Sequence, residues 1–188
     1  MEPDELENLE EDIKEDSKFV KILKRTYIII IALFLAMLLM VNSNTGYHIV
    51  SLFSGKIVSS SLNDDYSFDL KFGGKVFFDE IVYEQIRTTY DINRKQEFKL
   101  CLTGYREEKD YYVNGVYMPF IFEQDVYSVT SRMCNNETII SMHSHPPLRC
   151  IFSEQDIIYY NRFKEINPEA IIGLMCGEER MSFFGYEN

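Results

Sequence analysis

The chain has three histidines in 188 residues, and two of them, His143 and His145, are separated by one serine. On a strand, positions i and i+2 point to the same side, so imidazoles at this spacing can bind one ion. Pro146 and Pro147 follow and stop a strand, which puts the pair at a strand end where a site can open to solvent. Ser153 and Asp156 complete the spacing H-x-H-x7-S-x-x-D. Two imidazoles and one carboxylate leave a zinc ion a fourth position for water, the pattern of a catalytic rather than a closed structural site. Zinc so held lowers the pKa of that water and polarises a carbonyl. For an isolated H-x-H, the plainer reading of hydrogen-bonding histidines at a turn would win. The full spacing arises by chance at a frequency on the order of 10⁻³ or less in a chain of this length.

Positioning these groups needs a strand that ends at the histidines and a helix that starts at Ser153. Residues 138–143 read as the strand. Residues 153–164 carry Ile157, Ile158, Tyr160 and Phe163 at helical spacing, with Ser153 as N-cap and Glu154 and Asp156 in the first turn. Further strands are expected at 66–72, 75–78, 97–105, 111–122, 126–133, 170–176 and 181–186, and a second helix at 79–90. Residues 59–65 read as a loop and Gly73-Gly74 as a turn. The expected fold is α/β, a mixed β-sheet flanked by helices.

The string His143-Ser144-His145-Pro146, with Ser153 and Asp156 at this spacing, resembles the signature of the JAMM (MPN+) zinc metalloproteases. That family also uses a glutamate in a pattern close to E-F-x-x-x-L-x-G, and Glu97-Phe98-Lys99-Leu100-Cys101-Leu102-Thr103-Gly104 is similar to it. Residues 75–90 (KVFFDEIVYEQIRTTY) resemble the family's first strand and helix, so the likeness covers about 75–186. It implies a JAMM/MPN-like, cytidine-deaminase-like fold and one Zn2+ per chain on His143, His145 and Asp156. It also implies Glu97 as general base and then general acid, and Ser153 as the donor to a developing oxyanion. Ile140-Ser141-Met142 departs from the glycine and aromatic that are frequent before the first histidine. No obvious large insertion lies between Glu97 and His143, as in a minimal, prokaryotic-type member. The resemblance implies an isopeptidase that removes ubiquitin-like modifiers. The alternatives are a zinc peptidase for other extracytoplasmic peptides and a catalytically inactive MPN-type scaffold.

The rest of the chain frames this domain. Formal net charge is -11, which disfavours nucleic-acid partners. The 27 Tyr and Phe residues are spread along the elements, as core packing requires. Residues 1–17 read as an acidic disordered tail, either a docking segment for a basic partner or a solvated terminus. Residues 18–44 read as a membrane anchor helix, with 26–41 uncharged and Lys18, Lys21, Lys24 and Arg25 able to snorkel. A buried core helix fits less well because the run has no polar face, and a cleaved signal peptide because no A-x-A-like site follows. The basic cluster puts the N-terminus in the cytoplasm and the catalytic domain outside. Residues 45–74 are expected to form a linker and accessory strand, and 75–188 the metalloprotease domain. Cys101 and Cys134 read as core residues. Cys150 and Cys176 are either buried free thiols or a bridge that braces the metal loop. Asn136-Glu137-Thr138 matches a glycosylation triplet of a kind common by chance.

Overall fold

The computed structural model describes residues 18–41, 54–126, 128–145 and 149–185. The acidic tail, residues 42–53 and the two prolines after His145 lie outside these. The chain divides into two compact units, Met1–Tyr47 and His48–Asn188. In the first, α1 (Lys18–Val41) is one continuous helix. Its 24 residues rise about 36 Å at about 1.5 Å each, more than the roughly 30 Å hydrocarbon layer. No part of the apolar stretch Val20–Leu39 is buried in the fold, and this helix is long and apolar enough to cross a membrane. Thr26, at the start of the uncharged run, donates back to the Ile22 carbonyl (3.0 Å).

The second unit contains β1 (Ser60–Ser61), β2 (Ser67–Asp69), β3 (Lys75–Phe78), α2 (Glu80–Ile92), β4 (Lys99–Glu107) and β5 (Asp110–Tyr117). It continues with β6 (Ile121–Gln124), β7 (Val129–Ser131), β8 (Thr138–Ser144), α3 (Glu154–Ile166), β9 (Ile171–Gly177) and β10 (Arg180–Phe184). Eight strands form one sheet in the order β1-β10-β9-β8-β4-β5-β3-β2. It is a mixed sheet: β3–β5 and β8–β9 are parallel and the remaining pairs antiparallel. The fold is therefore α/β.

The alternation of β4 assigns the two helices to opposite faces. Leu100 and Leu102 pack in one cluster with Val82, Tyr83, Ile86 and Tyr90 of α2. Cys101, between them, packs on the other side with Phe163 of α3. Gly104 is required by close approach: a Cβ there would stand 1.9 Å from the Tyr112 carbonyl oxygen, beside the β4–β5 register shift.

Several elements differ from expectation. Residues 111–122 are not one strand. Pairing with β4 ends at Tyr117, and the chain resumes as β6, which joins β7 in a separate two-stranded sheet. The segment 59–65 is not all loop: Ser60–Ser61 pairs with β10. The edge strands β1 and β2 also meet, because Ser60 Oγ donates to the Asp69 carbonyl (2.5 Å), so the sheet curls back on itself.

All four cysteines are bridged, Cys101 to Cys134 and Cys150 to Cys176, with Cα separations of 5.7 and 5.2 Å. Of the two readings of Cys150 and Cys176, the bridge is the one found and the free thiols are not. Cys101 and Cys134 are core residues as expected, and they are also paired with each other. Burial was right for all four, but separations of 33 and 26 residues are closed by the tertiary fold, each bridge joining a strand to a loop, which spacing alone does not reveal.

Candidate metal centre

Four segments converge at one end of the sheet: the entry to β4, the exit of β8, the loop after it and the first turn of α3. The β4–β8 pairing aligns Lys99 with His143. Ser144, between the histidines, points the other way and locks the two strand ends together. Its N–H donates to the Phe98 carbonyl (3.0 Å) and its Oγ accepts from the Phe98 N–H (3.0 Å). Glu97 is thereby held beside the histidines, and its own N–H donates to the Asp125 carbonyl past the end of β6 (2.8 Å). His145 is tied by its N–H to the Met175 carbonyl of β9 (3.0 Å).

His143 Nε2 lies 3.2 Å from His145 Nε2 and 3.1 Å from Asp156 Oδ1. Asp156 Oδ2 is 3.8 Å from His145 Nε2. A tetrahedral ion about 2.0–2.1 Å from each ligand holds ligand atoms roughly 3.3–3.4 Å apart. The donor set therefore fits such an ion with small adjustments. Among the described residues, these three form the group able to hold a metal.

Hydrogen bonds preset the ligands. His145 Nδ1 stands 3.2 Å from the Arg149 carbonyl. A carbonyl only accepts, so the ring proton belongs on Nδ1 and the Nε2 lone pair faces the site. Burial, and then the neighbouring His143, push the His145 pKa down to about 4, which keeps it neutral and able to ligate. Asp156 closes a capping box with Ser153. Its Oδ2 accepts from the Ser153 N–H (2.6 Å) and Oγ–H (2.7 Å), leaving Oδ1 for His143 or an ion. Burial raises the Asp156 pKa, but the His143 contact and the Ser153 bonds outweigh it, and the carboxyl sits well below its usual range. The Ser153 hydroxyl has one proton, and here it is given to Asp156. Donation to an oxyanion requires that hydroxyl to change partner.

Glu97 Oε1 is 3.7 Å from His145 Nε2. Burial first, then repulsion from Asp156 and Asp125, lifts its pKa to about 7. A carboxyl so placed can take up and give back a proton near neutrality. The fold thus brings together all five residues singled out in the sequence: Glu97, His143, His145, Ser153 and Asp156.

Sequence reasoning missed three neighbours. Lys99 is 7 % exposed, with Nζ 3.4 Å from the centre of the Tyr159 ring. Burial lowers its pKa to about 7. The lysine's place in an alternating strand was a signal that its side chain turns inward. Phe152 packs near His143 (6.2 Å between ring centres) and against Phe184. The third is an apolar lip of Met118, Phe120, Phe122 and Val126, each at least 44 % exposed, around the sheet whose end is bonded to Glu97. No family model and no curated protein matches this chain.

Proposed function

We propose that the chain is a membrane-anchored, zinc-dependent amide-bond hydrolase of the JAMM (MPN+) type. The observation that carries the reading is the convergence of the His143, His145 and Asp156 ligand atoms with the Glu97 carboxylate beside them. Zinc, when bound, supplies a Lewis acid that acidifies water and polarises the scissile carbonyl. His143 Nε2, His145 Nε2 and Asp156 hold the ion, and Arg149 and Ser153 orient two of these ligands. Glu97 takes the proton of the attacking water on its carboxylate and returns it to the leaving amine. Ser153 Oγ turns from Asp156 to the oxygen that becomes negative at the tetrahedral carbon. The reading carries a JAMM/MPN-like assignment of the fold with it.

The resemblance favours an isopeptidase acting on ubiquitin-like conjugates. The two disulfides favour the second substrate class, extracytoplasmic peptides, because such bridges form and persist in oxidising compartments. They agree with the charge rule at α1, which puts the N-terminus in the cytoplasm and the catalytic domain outside. The apolar lip beside Glu97 offers a polypeptide a surface to lie on. Glu97→Gln tests the chemistry: the variant should keep zinc and lose about 10²–10⁴-fold in kcat on a peptide or isopeptide substrate. Full turnover by that variant would remove Glu97 as the base.

A further inference from the structure

Asn136-Glu137-Thr138 is the one N-x-S/T triplet in the chain with a residue other than proline in the middle. Such triplets are common, and most of their value lies in where they fall. This one lies on the turn that leads into β8. Asn136 and Glu137 are exposed, and Thr138 is buried as the first residue of the strand.

The turn is fixed through its other groups. Thr138 Oγ1 donates to Asn135 Oδ1 (3.0 Å) and lies 3.2 Å from the Tyr117 hydroxyl. The Asn136 carbonyl accepts from Asn167 Nδ2 (3.3 Å). Cys134, two residues earlier, is bridged to Cys101. Among the described residues, none of these bonds uses the Asn136 side-chain amide, which is left to solvent. The turn is also remote from the metal centre. β8 has seven residues, which at about 3.3 Å each put roughly 20 Å between its start and the histidines at its exit. A bulky polar group on Asn136 would leave the centre open.

The second, independent observation is the pair of disulfides, from which the compartment is inferred. Both disulfides belong to an oxidising space, and that is the side of a membrane on which oligosaccharides are transferred to asparagine.

We infer that Asn136 is an N-glycosylation site. Its amide nitrogen attacks the anomeric carbon of a lipid-phosphate-linked oligosaccharide. A C–N bond forms, the C–O bond to the lipid phosphate breaks, and the amide loses one proton. The site rests on exposure and compartment and does not depend on the hydrolase reading.

The test is synthesis of the full-length chain into rough microsomes, followed by endoglycosidase digestion and peptide mass mapping. One glycan is expected, on the peptide that contains Asn136, and it should vanish in Asn136→Gln with zinc content unchanged. An unmodified chain with both disulfides formed overturns the site alone. An unmodified chain with free thiols overturns both the site and the extracytoplasmic placement. A glycan that survives Asn136→Gln also overturns the assignment.

Discussion

Glu97 and Lys99 stand two residues apart at the start of β4, and burial drives both toward the neutral form, one pKa up and the other down. The lysine gives the cleaner test, because its unfolded and folded pKa values, 10.5 and about 7, bracket an accessible window. Within that window the unfolded chain holds more protons than the folded one, so stability rises with pH. The metal-free protein should therefore unfold at higher temperature as pH is raised from about 7 toward 10, and Lys99→Met should remove most of that slope. A slope unchanged in Lys99→Met would show that the amine is not the group responsible. Ser153 makes a second test. It caps α3 and donates twice to Asp156, so Ser153→Ala should cost about 1 kcal/mol of stability and about 10-fold or more in zinc affinity. Zinc titration against a chelating dye separates this from a loss in kcat alone, which is the result expected if the hydroxyl served only the oxyanion.

At the scale of elements, the segment between the candidate ligands His145 and Asp156 is stapled to the sheet. Cys150 and Cys176 join the segment between His145 and Ser153 to the end of β9. A bridge that closes 26 residues stabilises by about 3.5 kcal/mol in the chain-entropy picture. Cys150→Ser with Cys176→Ser should lower the melting temperature and weaken zinc binding together. A lower melting temperature with unchanged zinc affinity would mean the staple holds the fold and not the ligands. The elements that carry local signals were legible in the sequence. β8 and α3 were readable because their patterns alternate or repeat over a few residues, and Ser153 because a cap is a local device. The placement of Glu97 was legible only through the family-like string, because it arises from antiparallel pairing of β4 with a strand 40 or so residues later. The break after Tyr117 had a local signal, Pro119, masked by the apolar and aromatic residues that flank it; the β6–β7 pairing itself was not legible. The Cys101–Cys134 bridge escaped, and Cys150–Cys176 could be offered only as one of two readings, because both record distances that only the tertiary fold sets.

For the whole molecule, the net charge of -11 is unevenly distributed over an acidic N-terminal sequence, a membrane-length helix and a compact α/β unit. If α1 anchors the protein as proposed, the chain should resist extraction from membranes by high salt and alkali and dissolve in detergent. In sealed vesicles of known orientation, protease should digest the α/β unit from the extracytoplasmic side alone. Cleavage from the cytoplasmic side would restore the ubiquitin-like conjugates as the favoured substrates. The central claim is nevertheless the ion. The most direct measurement is the metal content of the purified, detergent-solubilised full chain by mass spectrometry of the elements, beside His143→Ala and Glu97→Gln. Close to one zinc per chain is expected, retained in Glu97→Gln and lost in His143→Ala. A folded, fully disulfide-bonded chain that takes up no zinc would contradict it.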